Sequence, residues 1–401
     1  MNLNIPTKIR FYLLLSVLGL TFVSMAILDQ ADEQLLSDKR LKGASIGFCV
    51  LDAETNAELK AHNADLSLMT ASTMKAVVTH VALEKLGASY RFPTRLRYSG
   101  LIVQGALQGD LVVQGFGDPT LGSKSFREGT ANFLEEWVYA VKAAGISEIT
   151  GNIVIDDSYF DGDVIAGSTP IEDVGNYYGA SVHSVNVFDN ECTISLASGS
   201  NAGDEVKVMG VTPELPGVSF VSEAIAAEGK QDNAFVYGQP FDNVRFIRGS
   251  IPKASKSFPI RGSIPDPARV LANELKKALE MKGIKVEGEM TVSRKPVETG
   301  SLTTLIETLS PPLSEIVYIT NRKSVNLYAA ALLRHLGMAQ SGVGSIDAGV
   351  EVIHNYFSYR GWDRTGLNIA DGSGLSRSNR ATPRQLALAC NYFSQATESD
   401  F

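Results

Sequence analysis

The feature that most constrains this 401-residue chain is a change of pattern part-way along it. From about residue 93 to about 265, apolar residues come in short runs cut by Gly, Asp, Asn and Pro. Asp110-Leu111-Val112-Val113-Gln114-Gly115 and Gly151-Asn152-Ile153-Val154-Ile155-Asp156-Asp157 are examples. Runs of that length between turn residues predict strands, with one helix near residues 132–144. On both sides the pattern turns helical. Met74, Val77, Val78, Val81, Ala82 and Leu86 recur at three- and four-residue steps from Ser72 until Gly87 closes the helix. Helical spacing returns over Pro267–Lys282, Leu313–Ile319, Leu327–Gly337 and Val350–Tyr359, and from Pro383 to about Phe393. Before the first helix, 44–52 and 57–61 predict a hairpin around the turn 53–56. The expectation is an α+β chain in which a helix-rich unit is split around a β-rich insert. The divisions fall at 1–28, 29–92, 93–265 and 266–401.

The first division is set by targeting chemistry. Lys8 and Arg10 precede an apolar run from Phe11 to Leu28, with Ser24-Met25-Ala26 offering small residues near its end. That pattern predicts an export signal cleaved near Ala26; an uncleaved membrane anchor is the alternative, since 18 residues can just span a bilayer. Either way the rest of the chain is expected outside the cytoplasm, periplasmic or in the cell envelope. A formal net charge of −8 argues against a protein that grips nucleic acid by its phosphates. Cys49, Cys192 and Cys390 are odd in number and widely spaced, so they predict neither a disulfide framework nor a zinc site; Cys49 reads as a small core residue. No metal or other cofactor is called for.

Three strings could carry chemistry. In Ser72-Thr73-Met74-Lys75, residues three apart share a helix face, so a hydroxyl would stand beside an amine. A serine becomes a nucleophile when an adjacent base takes its proton, and a buried lysine can be that base. A helix-capping serine with a solvated lysine is an equal reading of the spacing. A second match, Ser250-Ile251-Pro252-Lys253, contains a proline and reads as a loop. The second string is Ser324-Val325-Asn326, expected in a loop between helices; its rival Ser184-Val185-Asn186 reads as strand. The third, Asp371-Gly372-Ser373-Gly374-Leu375-Ser376, predicts a tight loop or a close backbone approach. The five histidines have no Gly-x-Ser-x-Gly elbow to serve, and Gly115-Phe116-Gly117-Asp118-Pro119 opens no helix that could cradle phosphate.

Taken in order, these strings resemble one family. Ala71-Ser72-Thr73-Met74-Lys75 is similar to the nucleophile motif of serine penicillin-binding proteins and β-lactamases. The stretch 109–119 resembles the GDLxLxGGGDP string of the S13 D-alanyl-D-alanine carboxypeptidases, penicillin-binding-protein-4-like enzymes of low-molecular-mass class C. Gly151–Phe160, Tyr177-Tyr178-Gly179-Ala180 and Asp371–Ser376 resemble that family too, and the match runs from about residue 40 to 393. The 248 residues between Lys75 and Ser324 favour S13, whose inserted domains lie there, over a compact β-lactamase.

The resemblance implies a serine β-lactamase/DD-peptidase-like domain, helices against an antiparallel sheet. It also implies acyl transfer on peptidoglycan stem peptides: Ser72 as nucleophile, Lys75 as base, Ser324 and Asn326 relaying the proton, and β-lactams trapping the same serine. The family's Lys-Thr-Gly motif follows the Asp371 loop by many tens of residues. The sequence ends at Phe401, 25 residues after Ser376, without it, and Thr299-Gly300 follows Glu298. The expectation is a member truncated at its C-terminus. A catalytically impaired peptidoglycan-binding or interaction protein is the alternative.

Overall fold

The computed structural model describes residues 33–126, 132–161, 163–298 and 302–395. The apolar run to Leu28, and the cleavage expected near Ala26, lie outside the described residues. The described residues fall into two units, divided between Ile46 and Gly47. In the first, Asp38 accepts from Arg40 N and caps the short turn Lys39–Leu41. The second carries everything below.

Helix α1 is Met74–Leu86, α2 Phe133–Ala143, α3 Pro267–Met281, α4 Leu313–Lys323, α5 Asn326–Ser341, α6 Ile346–Tyr359 and α7 Pro383–Gln395. Each lies where the three- and four-residue spacing puts one, to within a few residues. The hairpin forms from Phe48–Leu51 and Glu58–His62, with Phe48 opposite His62, and packs on α7.

Two hydrophobic cores organise the second unit. One is built on a mixed five-stranded sheet in the order 290–293, 153–156, 111–115, 93–98, 303–309. The first three strands are parallel, and 93–98 runs antiparallel to both its neighbours. Parallel pairs need crossovers that cover a face. Here α2 and α3 lie over the sheet, Trp137, Val141, Leu271 and Leu275 meeting Val113, Ile153 and Ile155. Helix α3 starts where it does because Asp266 accepts from Arg269 N at 3.3 Å and Pro267 takes the first turn. The same core continues into the antiparallel strands 206–212, 191–198 and 258–263. The sequence boundary at 265 therefore does not coincide with a change of core: α3 and the strands up to Leu309 belong to this first one.

Helices α1, α4, α5 and α6 form the second core. Gly349 lets α6 approach α5 closely: an added Cβ would stand 2.0 Å from the carbonyl oxygen of Leu333. Helix α1 is not the amphipathic surface helix that its spacing suggests. Met74, Lys75, Val77, Val78, Thr79, His80, Val81 and Ala82 are all buried, because α4, α5, α6 and α7 pack around it. A helix buried on every side has few polar positions to spare, so a lysine there is an exception that calls for a reason.

Two of the short matches fold differently from their sequence reading. Ser184-Val185-Asn186 is not strand but a buried irregular loop, because Asn186 uses both ends of its amide on the His183 backbone and on Asn190. Ser250 is not in a loop but in the strand Val244–Pro252, paired with Asn233 and Ile225. Cys49 lies half-buried in its strand rather than in the core.

Leu332→Ala in the second core is expected to lower unfolding free energy by about 2–5 kcal/mol in a denaturant titration. Met281→Ala, exposed at the end of α3, should stay within about 0.5 kcal/mol.

Candidate active site

Short strand Leu68–Met69 pairs with Arg380–Ala381 and leads into a tight turn, Ala71–Thr73, before α1 begins at Met74. Ser72 therefore sits one turn ahead of the α-helix, exposed, while Lys75 lies inside it, 2% exposed. Ala71 carries φ +44°, a left-handed backbone that a residue with a Cβ adopts at some cost. Thr73 Oγ1 donates to the Thr70 carbonyl at 2.6 Å and ties the turn.

Lys75 Nζ reaches two partners, donating to Ser72 Oγ at 2.9 Å and to the Ser373 carbonyl at 2.6 Å. Burial pushes the ammonium down to about 8, opposed by the negative charge of Asp371. An amine with that midpoint has a substantial neutral fraction near neutral pH, which a general base requires. Spacing alone left Lys75 open as a solvated charge; its burial removes that reading.

The Ser373 carbonyl is held by the loop 370–379. Asp371 is buried at its centre and accepts from Ser373 N at 2.9 Å, Gly374 N at 2.6 Å, Ser376 N at 2.6 Å and Asn379 Nδ2 at 3.0 Å. Asn379 Oδ1 in turn accepts from Ala370 N at 2.8 Å. Gly374 has φ +83°, and a Cβ there would stand 1.8 Å from the Ala71 carbonyl oxygen and 3.0 Å from Ser72 N. The loop's glycine thus marks a close approach to the serine turn itself. Sequence reasoning anticipated a tight loop here; it missed that the Asp371 carboxylate ties the loop and that the loop's carbonyl holds Lys75.

Ser324 ends α4 with φ +56°, is exposed, and makes no side-chain hydrogen bond among the described residues. It follows Asn321, whose Nδ2 donates to Thr79 Oγ1 at 3.1 Å, while Thr79 Oγ1 donates to the Lys75 carbonyl at 2.7 Å. Asn326 opens α5 and donates from Nδ2 to the Tyr178 carbonyl at 2.7 Å. Asn326, Tyr178, Asp371 and Ser373 line one cavity. The structure thus joins Ser72 to Lys75 by a direct bond and sets Asn326 in the cavity that Ser373 also lines. It draws no bond from Ser324 to the pair.

The rival matches point elsewhere. Ser184 Oγ accepts from Phe160 N at 2.8 Å, and Lys253 pairs with Glu228. His80 bonds the Tyr356 hydroxyl at 2.8 Å, His183 bonds Ser181, and His335 donates to the Gly117 carbonyl. Burial pushes each of these three down to about 4, disfavouring the charged form, although the Asp157 carboxylate lies 3.5 Å from His183 Nδ1.

The D-Ala-D-Ala carboxypeptidase 3 (S13) family model matches residues 28–400. The chain belongs to that family. It is 28% identical over 364 residues to a D-alanyl-D-alanine carboxypeptidase of Actinomadura sp. (strain R39), covering 87% of this chain and 64% of that protein. It is 26% identical over 400 residues to the D-alanyl-D-alanine carboxypeptidase DacB of Haemophilus influenzae, covering 98% of this chain and 79% of that one. The crystal structure of penicillin-binding protein 4 from Haemophilus influenzae aligns with a TM-score of 0.75 at 23% identity, over 87% of this chain and 75% of that one. The same protein complexed with a β-lactam aligns with a TM-score of 0.73. The fold is therefore the mixed α+β fold of the DD-peptidases.

Gly374→Ala is expected to lower the melting temperature by several degrees, since both its φ and its space are taken. Gly167→Ala, where an added Cβ meets open space, should leave the melt unchanged.

Proposed function

We propose that the chain is a serine-type D-Ala-D-Ala carboxypeptidase or endopeptidase that acts on peptidoglycan stem peptides through an acyl-enzyme, and that β-lactams acylate the same serine. The observation that carries this is the 2.9 Å pair of exposed Ser72 and buried Lys75. Neutral Lys75 takes the hydroxyl proton as Ser72 Oγ bonds to the carbonyl carbon of the penultimate D-alanine. The tetrahedral intermediate collapses, the C–N bond breaks, and the leaving D-alanine amine receives the proton. Ser324 and Asn326 are read as its route, Asn326 from the wall of the cavity and Ser324 from the end of α4. Water then attacks the ester, Lys75 again takes a proton, and Ser72 is released.

The same reading treats the strand-rich segment as an insert in a peptidase domain made by the second core. It also treats the N-terminal run as an export signal or anchor, with the chain working in the periplasm or cell envelope. Membership of the S13 family supports the reaction class. The cavity lined by Asn326, Tyr178 and Ser373 adjoins the loop whose carbonyl holds Lys75.

A fluorescent penicillin tests the reading. Wild-type chain should take a stable covalent label, Ser72→Ala none, and Ser250→Ala a normal amount. Ser324→Ala is expected to slow D-alanine release from a D-Ala-D-Ala pentapeptide by about 10²–10⁴ at unchanged melting temperature. Asn326→Ala should slow it to a similar extent with some loss of melting temperature, because the Tyr178 carbonyl loses its donor. Asn186→Ala should instead lower the melting temperature. Label retained in Ser72→Ala sinks the assignment. A chain that binds peptidoglycan but never takes the label would be a binding protein.

A further inference from the structure

The peptide group between Ser373 and Gly374 is gripped at both ends. Its carbonyl accepts from Lys75 Nζ at 2.6 Å, and its N–H donates to Asp371 Oδ1, also at 2.6 Å. A carboxylate on the N–H side pushes electron density toward the carbonyl, and hydrogen bonds joined in series strengthen one another. The carbonyl facing Lys75 is thus a better acceptor for an ammonium than a free peptide would be. We propose that Asp371 is a positioning residue that sets the proton affinity of Lys75 through the Ser373–Gly374 peptide, keeping the amine basic enough to accept the Ser72 proton despite its burial.

The surroundings of Lys75 favour this assignment: several charged groups on the elements packed around α1 have neighbours of their own, and Glu315 of α4 and Asp347 and Glu351 of α6 are not among the charges that act on it. On α1 itself His80 bonds Tyr356, and Lys85 lies over the Tyr356 ring. On α4 Arg322 bonds the Tyr318 hydroxyl, and Lys323 reaches Ser125. On α5 Arg334 holds Asp161, and His335 holds Gly117. On α6 Arg360 pairs with Glu84, His354 has the charge of Arg364 as its neighbour, and on α7 Arg384 pairs with Asp65. Asp371 is the charged group that acts on Lys75. It is also buried, so its field on the amine is weakly screened.

The sign follows from charge. Replacing Asp371 by Asn removes a negative charge and weakens the polarisation of the peptide, so the ammonium form of Lys75 loses support and its midpoint falls. An opposite charge within about 4–6 Å typically moves a midpoint by about 1–3 pH units. The experiment measures the rate of acylation by a fluorescent penicillin from pH 5 to 10, for wild type and Asp371→Asn. This arm rests on the proposed function. A second arm is independent of it: partial acetylation of Lys75 by acetic anhydride across the same range, read by mass spectrometry of its peptide.

Wild type should rise with a midpoint of about 8 in both arms, and Asp371→Asn about one pH unit lower or more, with a lower plateau because a weaker base removes the proton less readily. A structural role alone would reduce the rate at every pH and leave the midpoint at about 8; that result overturns the proposal. Asn379→Ala removes one donor from the Asp371 carboxylate while its charge and its bond from Gly374 N remain, so the charge borne on the peptide is undiminished and the Lys75 midpoint should lie at or above that of wild type. A midpoint below wild type in that variant also overturns the proposal, whether or not Asp371→Asn folds. If penicillin acylates no form of the chain, the proposed function fails, and the acetylation midpoints still decide the role of Asp371.

Discussion

Lys75 is the residue around which the site is arranged, because a lysine buried in the first turn of an enclosed helix is expensive. Moving its midpoint from the usual 10.5 of a lysine to about 8 corresponds to about 3 kcal/mol against the charged form. Between those two pH values the unfolded chain binds more protons at this site than the folded one. Its contribution therefore becomes more favourable as pH rises from about 8 to 10.5. The folded protein limits the penalty with two oxygen acceptors, Ser72 Oγ and the Ser373 carbonyl. Everything local to the site serves to hold those two oxygens in place. The strained Ala71 turn aims Ser72, the Asp371 knot aims the carbonyl, and Gly374 lets the two segments touch.

The larger fold serves the same end. Helix α1 is enclosed by α4, α5, α6 and α7, so its N-terminus can project from a rigid core. The two-residue pairing of Leu68–Met69 with Arg380–Ala381 joins the serine turn to the far end of the chain. The mixed sheet and its helices form a separate core, and one of the segments packed beside it delivers Tyr178 to Asn326. Two cores built from interleaved stretches of sequence thus meet at a site that neither completes alone.

Much of this was legible in the residues. Period-3.6 spacing placed the helices, Gly87 stopped α1, and Asp266-Pro267 started α3, since caps and turns are local chemistry. The Ser72–Lys75 pair was visible as spacing but not decidable, because the difference between a solvated lysine and a buried base lies in what packs on α1. The same gap hid Asp371, whose effect on Lys75 spans almost 300 residues of sequence. Tertiary context also overrode two local readings. Ser184-Val185-Asn186 looked like alternating strand until the Asn186 amide closed a loop on His183, and Ser250 looked like loop until Asn233 and Ile225 paired with it. Residues 266–309 carry helical and strand signals of the usual kind, and nothing local says which core they join.

The central claim is that Lys75 is a buried amine that can be neutral beside Ser72. The most direct test is a titration of the Lys75 side chain by NMR, with ¹³C at Cε, in the folded wild-type chain and with Lys75→Arg to assign the signal. The account predicts one lysine resonance with a midpoint of about 8, well apart from the exposed lysines. A Lys75 midpoint near 10.5 would contradict it, and would leave Ser72 without a base.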